Sequence, residues 1–301
     1  MGVTPRRLRA KDLHTPFRGV RAVPTAAAEP DDTPLARDRA ARDHVLLLGR
    51  AYAEVMPPHA FFVGRTAAVA LGLPTAHGED LEVGVLAPSR APRRAGVRGI
   101  KVAPTLVSVR KHEGLRMSSP ASTWAMLARE CSVRELIVIG DAVVRVPRDR
   151  RGDAHPERAL ATIEQLRSAA AAGPRRGVQR LREALERIRV GSASPLETEF
   201  RLDAEDAGLP TPELDVPIRD ANGRLLGISE IVYRELRIVV EIEGDHHRTS
   251  RAQWNRDLEK YAAYAAAGWE VVRLTSTHVR GAKRQGVSIT HDALRRRGWQ
   301  P

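Results

Sequence analysis

An α+β N-terminal half followed by a C-terminal half built on a mixed sheet flanked by helices is the fold class this 301-residue sequence predicts. Three observations lead there. Leu225 to Glu243 reads as two strands joined by a tight turn, the second alternating aliphatic and polar residues with a period of two, as half-buried strands do. Gln253 to Lys260 opens a helix that ends at Gly268-Trp269, after which Glu270-Val271-Val272-Arg273 reads as a strand. Upstream, short strand-like runs between Leu81 and Met117 are bracketed by helical segments. The expected organisation is an α+β domain at 1–150, a helical connector at 151–190 and an α/β mixed-sheet domain at 191–301.

In the N-terminal half, residues 1–24 are basic and residues 25–38 read as a loop rich in Ala, Pro and Asp. Asp38 to Val55 has helical spacing, with Val45, Leu46, Leu47, Ala51 and Val55 as its apolar stripe. Ala60 to Gly64 reads as a short strand entering the helix Arg65–Leu71, which Gly72 and Pro74 close. A meander is expected next, from Leu81–Val85, Ile100–Val102, Thr105–Val109 and Leu115–Met117. The loop Ser89–Arg94 between its first two strands is basic, suited either to phosphate or to plain solvation. Ser118 to Thr123 should start a helix, because hydroxyls cap free backbone N–H groups and Pro120 suits a first turn.

Two helical segments, 156–172 and 175–190, then lead to a hinge at Gly191-Ser192-Ala193. Ser194 to Arg201 opens a further helix that closes near Gly208-Leu209-Pro210. In the second strand of the alternating stretch, Leu236, Ile238, Val240 and Ile242 share one face, and Arg237, Val239, Glu241 and Glu243 the other. A two-residue turn at Arg234-Glu235 would set Glu230 opposite Val239 and diagonal to Glu241. Three carboxylates then converge. Two like charges about 5 Å apart repel by roughly 3–4 kcal/mol at an effective dielectric of about 20. A hard divalent cation with oxygen ligands would offset that. Gly244 permits a sharp exit, and His246 and His247 after it are candidates for proton transfer.

Glu230, then Glu241-Ile242-Glu243-Gly244, then His247 resembles the signature of the very-short-patch-repair-like endonuclease domains of the PD-(D/E)XK nuclease superfamily. The resemblance covers roughly residues 190–298 and implies a restriction-endonuclease-like fold. It implies metal-dependent hydrolysis of phosphodiester bonds in DNA, with Mg²⁺ (Mn²⁺ as the substitute) held by Glu230, Glu241 and Glu243 or its backbone carbonyl. By the same resemblance His247, aided by His246, moves protons. Glu197 in Ser194-x-x-Glu197 supports the metal. Asp257, Lys260 and Arg273 stand at matching places, the last two as phosphate contacts. The family's first acid is usually Asp; Glu230 is one methylene longer, which predicts a weakly active site improved by Glu230→Asp.

The other half resembles the C-terminal part of AbiEi-type antitoxins of bacterial toxin–antitoxin systems. The residues that carry this are Phe17-Arg18-Gly19-Val20, Arg65-Thr66-Ala67-Ala68, Leu71-Gly72-Leu73-Pro74, Ser118 to Thr123 and Gly140-Asp141-Ala142. Residues 1–24 are too few for the winged helix-turn-helix of such proteins. A toxin partner is therefore implied by the resemblance and by nothing else in the chain. The rival to an endonuclease is a DNA-binding or antitoxin-type regulator whose nuclease fold has lost catalysis.

Lys and Arg outnumber Asp and Glu by 49 to 37, a net +12. That balance suits a polyanion, although an Arg-rich, Ala-rich composition also follows from a GC-rich coding sequence. DNA is the expected partner, with RNA left open because no residue pattern reads a base or a 2′-hydroxyl. No apolar run reaches the ~18 residues of a membrane span, and the start lacks a signal peptide's apolar stretch. The lone Cys131 fits a reducing compartment, so a cytoplasmic location is expected.

Overall fold

The computed structural model describes residues 4–23, 34–243 and 251–301. It is a mixed α and β structure in two compact units: Met1–Leu136 with Glu164–Leu185, and Ile137–Ile163 with Glu186–Pro301. The segment 151–190, expected as a connector, is shared between them.

Unit 1 holds α1 (Pro5–Leu8), α2 (Pro34–Ala53), β1 (Phe61–Phe62), α3 (Gly64–Ala70), β2 (Leu81–Leu86), β3 (Arg93–Arg94), β4 (Val97–Val102), β5 (Val109–His112), β6 (Leu115–Ser118) and α4 (Pro120–Leu127). It also takes the first turn of α5 (Val133–Val144), then α6 (Ile163–Ala171) and most of α7 (Val178–Arg187). Its sheet runs β3-β4-β2-β1-β6-β5 and is mixed, with β2 parallel to β4 and β1 parallel to β6. A meander is therefore the wrong topology. The small strand β3 reverses the chain and pairs antiparallel with β4, which then runs alongside β2 in the same direction. Thr105–Val109 is not a strand either. Pro104 has no N–H for a ladder and begins a 3-10 turn, so β5 starts only at Val109. The capped start of α4 is as expected, with Ser122 N–H donating to Ser119 Oγ at 3.2 Å and Pro120 in the first turn. Trp124 is wholly buried, its indole N–H donating to Leu136 O at 2.8 Å.

Unit 2 continues with α8 (Pro195–Asp206), β7 (Glu213–Arg219), β8 (Leu225–Tyr233), β9 (Ile238–Glu243), α9 (Arg251–Ala266), β10 (Glu270–Thr275), α10 (Ser276–Arg280) and α11 (Gly286–Arg296). The sheet order is β10-β9-β8-β7. Strands β7, β8 and β9 are antiparallel, whereas β10 is parallel to β9 because the crossover helix α9 returns the chain. One face carries a core of Ile231, Tyr233, Ile238, Val240 and Ile242 with Phe200 of α8, Val279 of α10 and Leu294 of α11. The other packs Val216, Ile218, Val232 and Val239 against Tyr264 of α9. Among the described residues no helix is long and apolar enough to cross a membrane.

Candidate active site

The site begins with an irregularity in β8. Ile231 and its β7 partner Leu214 lie in the core shared with α8, α10 and α11. Two residues on, Ser229 and its partner Val216 face α9, where Ser229 Oγ donates to Tyr264 Oη at 3.0 Å. Both strands thus exchange faces between these pairs, and Glu230 and Asp215 occupy the crossing. The backbone cause is visible in β7, where Asp215 has a positive φ of 53°. Arg148 pins it, with Nε donating to Asp215 O at 2.9 Å and to Oδ2 at 2.7 Å. Such irregularities re-aim a side chain and end local pairing. Here the β8–β9 ladder stops at Ile231↔Val240. Beyond it the Ile242 N–H donates to Glu230 Oε2 at 2.8 Å instead of to a strand partner.

The turn between β8 and β9 also differs from expectation. Tyr233 pairs with Ile238, so the turn comprises four residues, Arg234 to Arg237, with Arg237 at φ 50°. Continuing that register brings Glu230 level with Glu241, not with Val239. Glu241 is 5% exposed. Its Oε2 accepts from Lys260 Nζ at 2.7 Å, while Lys260 also donates to Ile228 O at 2.8 Å. The absence of a side chain at Gly227 lets α9 come this near, since a Cβ there would stand 2.6 Å from Tyr264 Oη and 3.0 Å from Lys260 Cγ.

A third carboxylate arrives from α8. Ser194 caps that helix, accepting from Glu197 N–H at 3.3 Å, and Glu197 Oε2 accepts from Ala193 N–H at 2.6 Å. This is close to a capping box. Solvation of a helix end does not explain the burial, however, for Glu197 is 3% exposed. Burial pushes its carboxyl up to about 7 against the pull of the Ala193 N–H, Ser194 and Arg145, and the charge of Glu241 adds to the rise. Glu230 is half-buried as a residue, with its carboxyl tucked against β9. Burial and then the charges of Glu197 and Glu241 raise it well above the usual carboxylate range, against Lys260 and the Ile242 N–H.

The buried group is therefore Glu197, Glu230 and Glu241 with Lys260. Glu243, expected as a ligand, is more open and pairs with Arg273, whose Nε donates to its Oε1 at 2.7 Å. Arg273 lies 5.0 Å from the Tyr261 ring centroid, so this expected phosphate contact is held by an acid and an aromatic face. Asp257 is close enough for its charge to act on Tyr261 and Arg273. His246 and His247 lie outside the described residues.

Several contributors were not read from the sequence. Strand β7 was missed because Asp215 and Pro217 interrupt the alternation of Leu214, Val216 and Ile218. Arg148 and Asp215 had no signal beyond an acid within an apolar run. Asp141 was noticed only within a small-residue motif, yet it anchors α8. Its carboxylate accepts from Thr198 Oγ1 at 2.9 Å, Arg201 Nη2 at 2.8 Å and Arg189 N–H at 2.8 Å.

Glu241 Oε1 is buried and lacks a hydrogen-bond partner among the described residues, an oxygen of the kind a hard cation takes. Among the described residues no group of three or more His, Cys, Asp or Glu is gathered at metal-binding range. Ala193 N–H, Ile242 N–H and Lys260 hold one oxygen of each acid.

Two proteins of Mycobacterium tuberculosis are similar to this chain, the uncharacterized proteins MT2308 (strain CDC 1551 / Oshkosh) and Rv2248 (strain ATCC 25618 / H37Rv). Each is 28% identical over 191 residues, which are 60% of this chain and 66% of the relative. The chain thus spans just under two thirds of the length of these relatives. No family model and no solved structure matches the chain.

Proposed function

We propose that unit 2 is a divalent-cation-dependent endonuclease domain with a restriction-endonuclease-like fold, hydrolysing phosphodiester bonds in DNA. The observation that carries this reading is the convergence of Glu197, Glu230 and Glu241 at the point where β8 and β9 part. Each acid comes from a different element, Glu197 and Glu230 are raised in proton affinity by burial and by the charge of neighbouring acids, and Glu241 has an oxygen with no partner among the described residues. Mg²⁺ or Mn²⁺, when bound, would supply charge neutralisation at the phosphate and activation of water. Glu230 and Glu241 would hold the ion, with Glu197 in the place that Glu243 was expected to take. Lys260 orients Glu241 through Oε2. His247, assisted by His246, is assigned the movement of protons to water or the leaving oxygen. The AbiEi-like character of unit 1 rests on its sequence motifs and belongs to this proposal as well.

A second reading has its own support. Lys260 already places a positive charge on Glu241, which allows the site to persist without a metal as a DNA-binding or antitoxin-type module. Incubation of the purified chain with plasmid and branched DNA in Mg²⁺, Mn²⁺ or EDTA separates the two. The endonuclease reading expects divalent-dependent cleavage that Glu241→Gln abolishes with folding retained. It also expects His247→Ala to slow single turnover by roughly a hundredfold and His246→Ala to have a milder effect. Cleavage unchanged in the Gln variant would overturn the metal assignment.

A further inference from the structure

The positive charge of this chain is divided very unevenly. Unit 1 carries 26 Lys and Arg against 15 Asp and Glu, whereas unit 2 carries 23 against 22. Almost the whole excess lies in the unit that does not hold the carboxylates. A surplus of this kind costs stability through self-repulsion, and a polyanionic partner relieves it.

Within unit 1 one edge is built to present cations. Strand β3 is one of the two edge strands of the six-stranded sheet and consists of Arg93 and Arg94. The loop before it carries Arg90 and lies directly on β4, since a Cβ at Gly99 would stand 2.2 Å from Pro92 O. Arg94 Nη2 donates to Arg18 O at 2.8 Å and so fastens the N-terminal segment to the same edge. That segment is anchored in turn by Phe17, buried and edge-on to Tyr52 at 5.1 Å between centroids. Arg18, Arg90 and Arg93 are exposed, and among the described residues no ion pair joins them to an acid. Their neighbour Arg98 on β4 contrasts with them, being paired with both Glu82 and Glu130. Guanidinium forks on a fixed backbone match phosphate oxygens in both geometry and charge.

We infer that the β3 edge of unit 1, through Arg18, Arg90 and Arg93, is a binding surface for the phosphodiester backbone of nucleic acid. It rests on the reading of unit 2 as a domain that acts on such a polymer, and it assigns the holding of that polymer to unit 1.

The test is fluorescence anisotropy of the full chain across a salt series in EDTA, where no cleavage occurs. The probes are duplex DNA, duplex RNA of the same length and phosphatidylserine vesicles. The triple variant R18Q/R90Q/R93Q is compared with R219Q/R224Q/R295Q, which removes three exposed arginines of unit 2. Arg94 is kept because it holds the Arg18 carbonyl. The first variant should bind nucleic acid at least tenfold more weakly. Its slope of log K against log salt should be shallower by about 3, near 0.9 for each lost phosphate contact on B-DNA. The second should match wild type. The DNA and RNA arms identify which backbone is preferred, and loss in either supports the surface. Equal losses in both variants, no loss in the first, no binding to nucleic acid, or binding to vesicles alone would each overturn it. Failure of the endonuclease reading has a different signature, in which wild type binds as described and never cuts.

Discussion

Asp141 and Arg201 form an ion pair at 2.8 Å, with 1% of either side chain exposed. The first comes from α5 and the second from α8, one turn beyond Glu197. Removing Asp141 leaves the buried Arg201 with Glu205, 2.6 Å from its Nη1, as its remaining acid, so the cost stays below the roughly 3–5 kcal/mol of a fully stranded buried charge. Asp141→Ala should lower the urea-unfolding free energy of unit 2 by roughly 1.5–3 kcal/mol, the range for lost hydrogen bonds to charged groups. By the same logic a fragment beginning at Ile188, just before the hinge at Gly191–Ala193, lacks Asp141 and with it the anchor of α8. It should melt without cooperativity, whereas a fragment beginning at Ile137 should melt cooperatively. Calorimetry on the two fragments checks this.

Glu197, pushed up to about 7 by burial, makes the stability of unit 2 depend on pH. Its folded form keeps a proton that the unfolded chain, with a pKa of about 4.3, has already released. Stability should therefore fall as pH rises from the unfolded value through about 7 and level off above it. Glu197→Gln keeps an acceptor for the Ala193 N–H and removes this residue's share of the slope, leaving that of Glu230. At pH 8 its Tm should exceed that of wild type by several degrees, at about 2–4 °C for each kcal/mol, while near pH 4 the two should coincide. Added Mg²⁺ or Mn²⁺ should raise the wild-type Tm at pH 8 and leave the Gln variant nearly unmoved.

Glu230→Asp separates two views of the acid at the middle of β8. On sequence alone the extra methylene looked like a misfit that Asp would repair. The structure uses that length, because Oε2 reaches the Ile242 N–H at 2.8 Å. Shortening the side chain leaves this N–H without its partner, at a cost of about 1–3 kcal/mol. The Asp variant should thus be less stable and, if wild type cleaves, slower. An Asp variant that is equally stable and faster would show that the reach to Ile242 is dispensable.

Arg148 holds Asp215 at its positive φ, and Asp215 sits beside Glu230 at the face exchange. Arg148→Ala should release this kink. We expect slower divalent-dependent cleavage by at least tenfold, with a smaller fall in Tm than Asp141→Ala produces. Asp215→Gly tolerates the left-handed backbone without the ion pair and should retain more activity than Asp215→Ala. Equal rates for Gly and Ala would mean that the backbone conformation at 215 does not matter.

Strand β9, helix α9 and strand β10 were legible because each follows a single period over several residues. The β8–β9 turn was not. Leu236 continues the alternation of Ile238, Val240 and Ile242, so the sequence pattern places it within the strand. In the structure Leu236 belongs to the turn, since Arg237 at φ 50° cannot extend the ladder. The face of Glu241 was right nonetheless, because the two registers differ by two residues. Glu197 stood out in the sequence only as the acid of Ser194-x-x-Glu197, whereas the seating of its helix depends on Asp141, some sixty residues earlier, through Thr198 and Arg201. No local pattern encodes such a contact. In unit 1, β2 and β4 were located, but their parallel pairing hinges on the two-residue strand β3, too short to leave a period.

The exchange of faces at Glu230 gives β8 two opposite sets of requirements along one strand. At Gly227 and Ser229 the odd-numbered positions lie under α9, where room is so short that even a methyl group meets Tyr264. At Ile231 and Tyr233 the odd-numbered positions fill a core that wants bulk. A saturation profile of this strand would show tolerance for small residues below Glu230 turning into tolerance for large ones above it. Swaps that look conservative on a uniform period-two template would be the damaging ones. Homologues diverging under that constraint would conserve the size gradient of the strand even where they lose the acid at its middle.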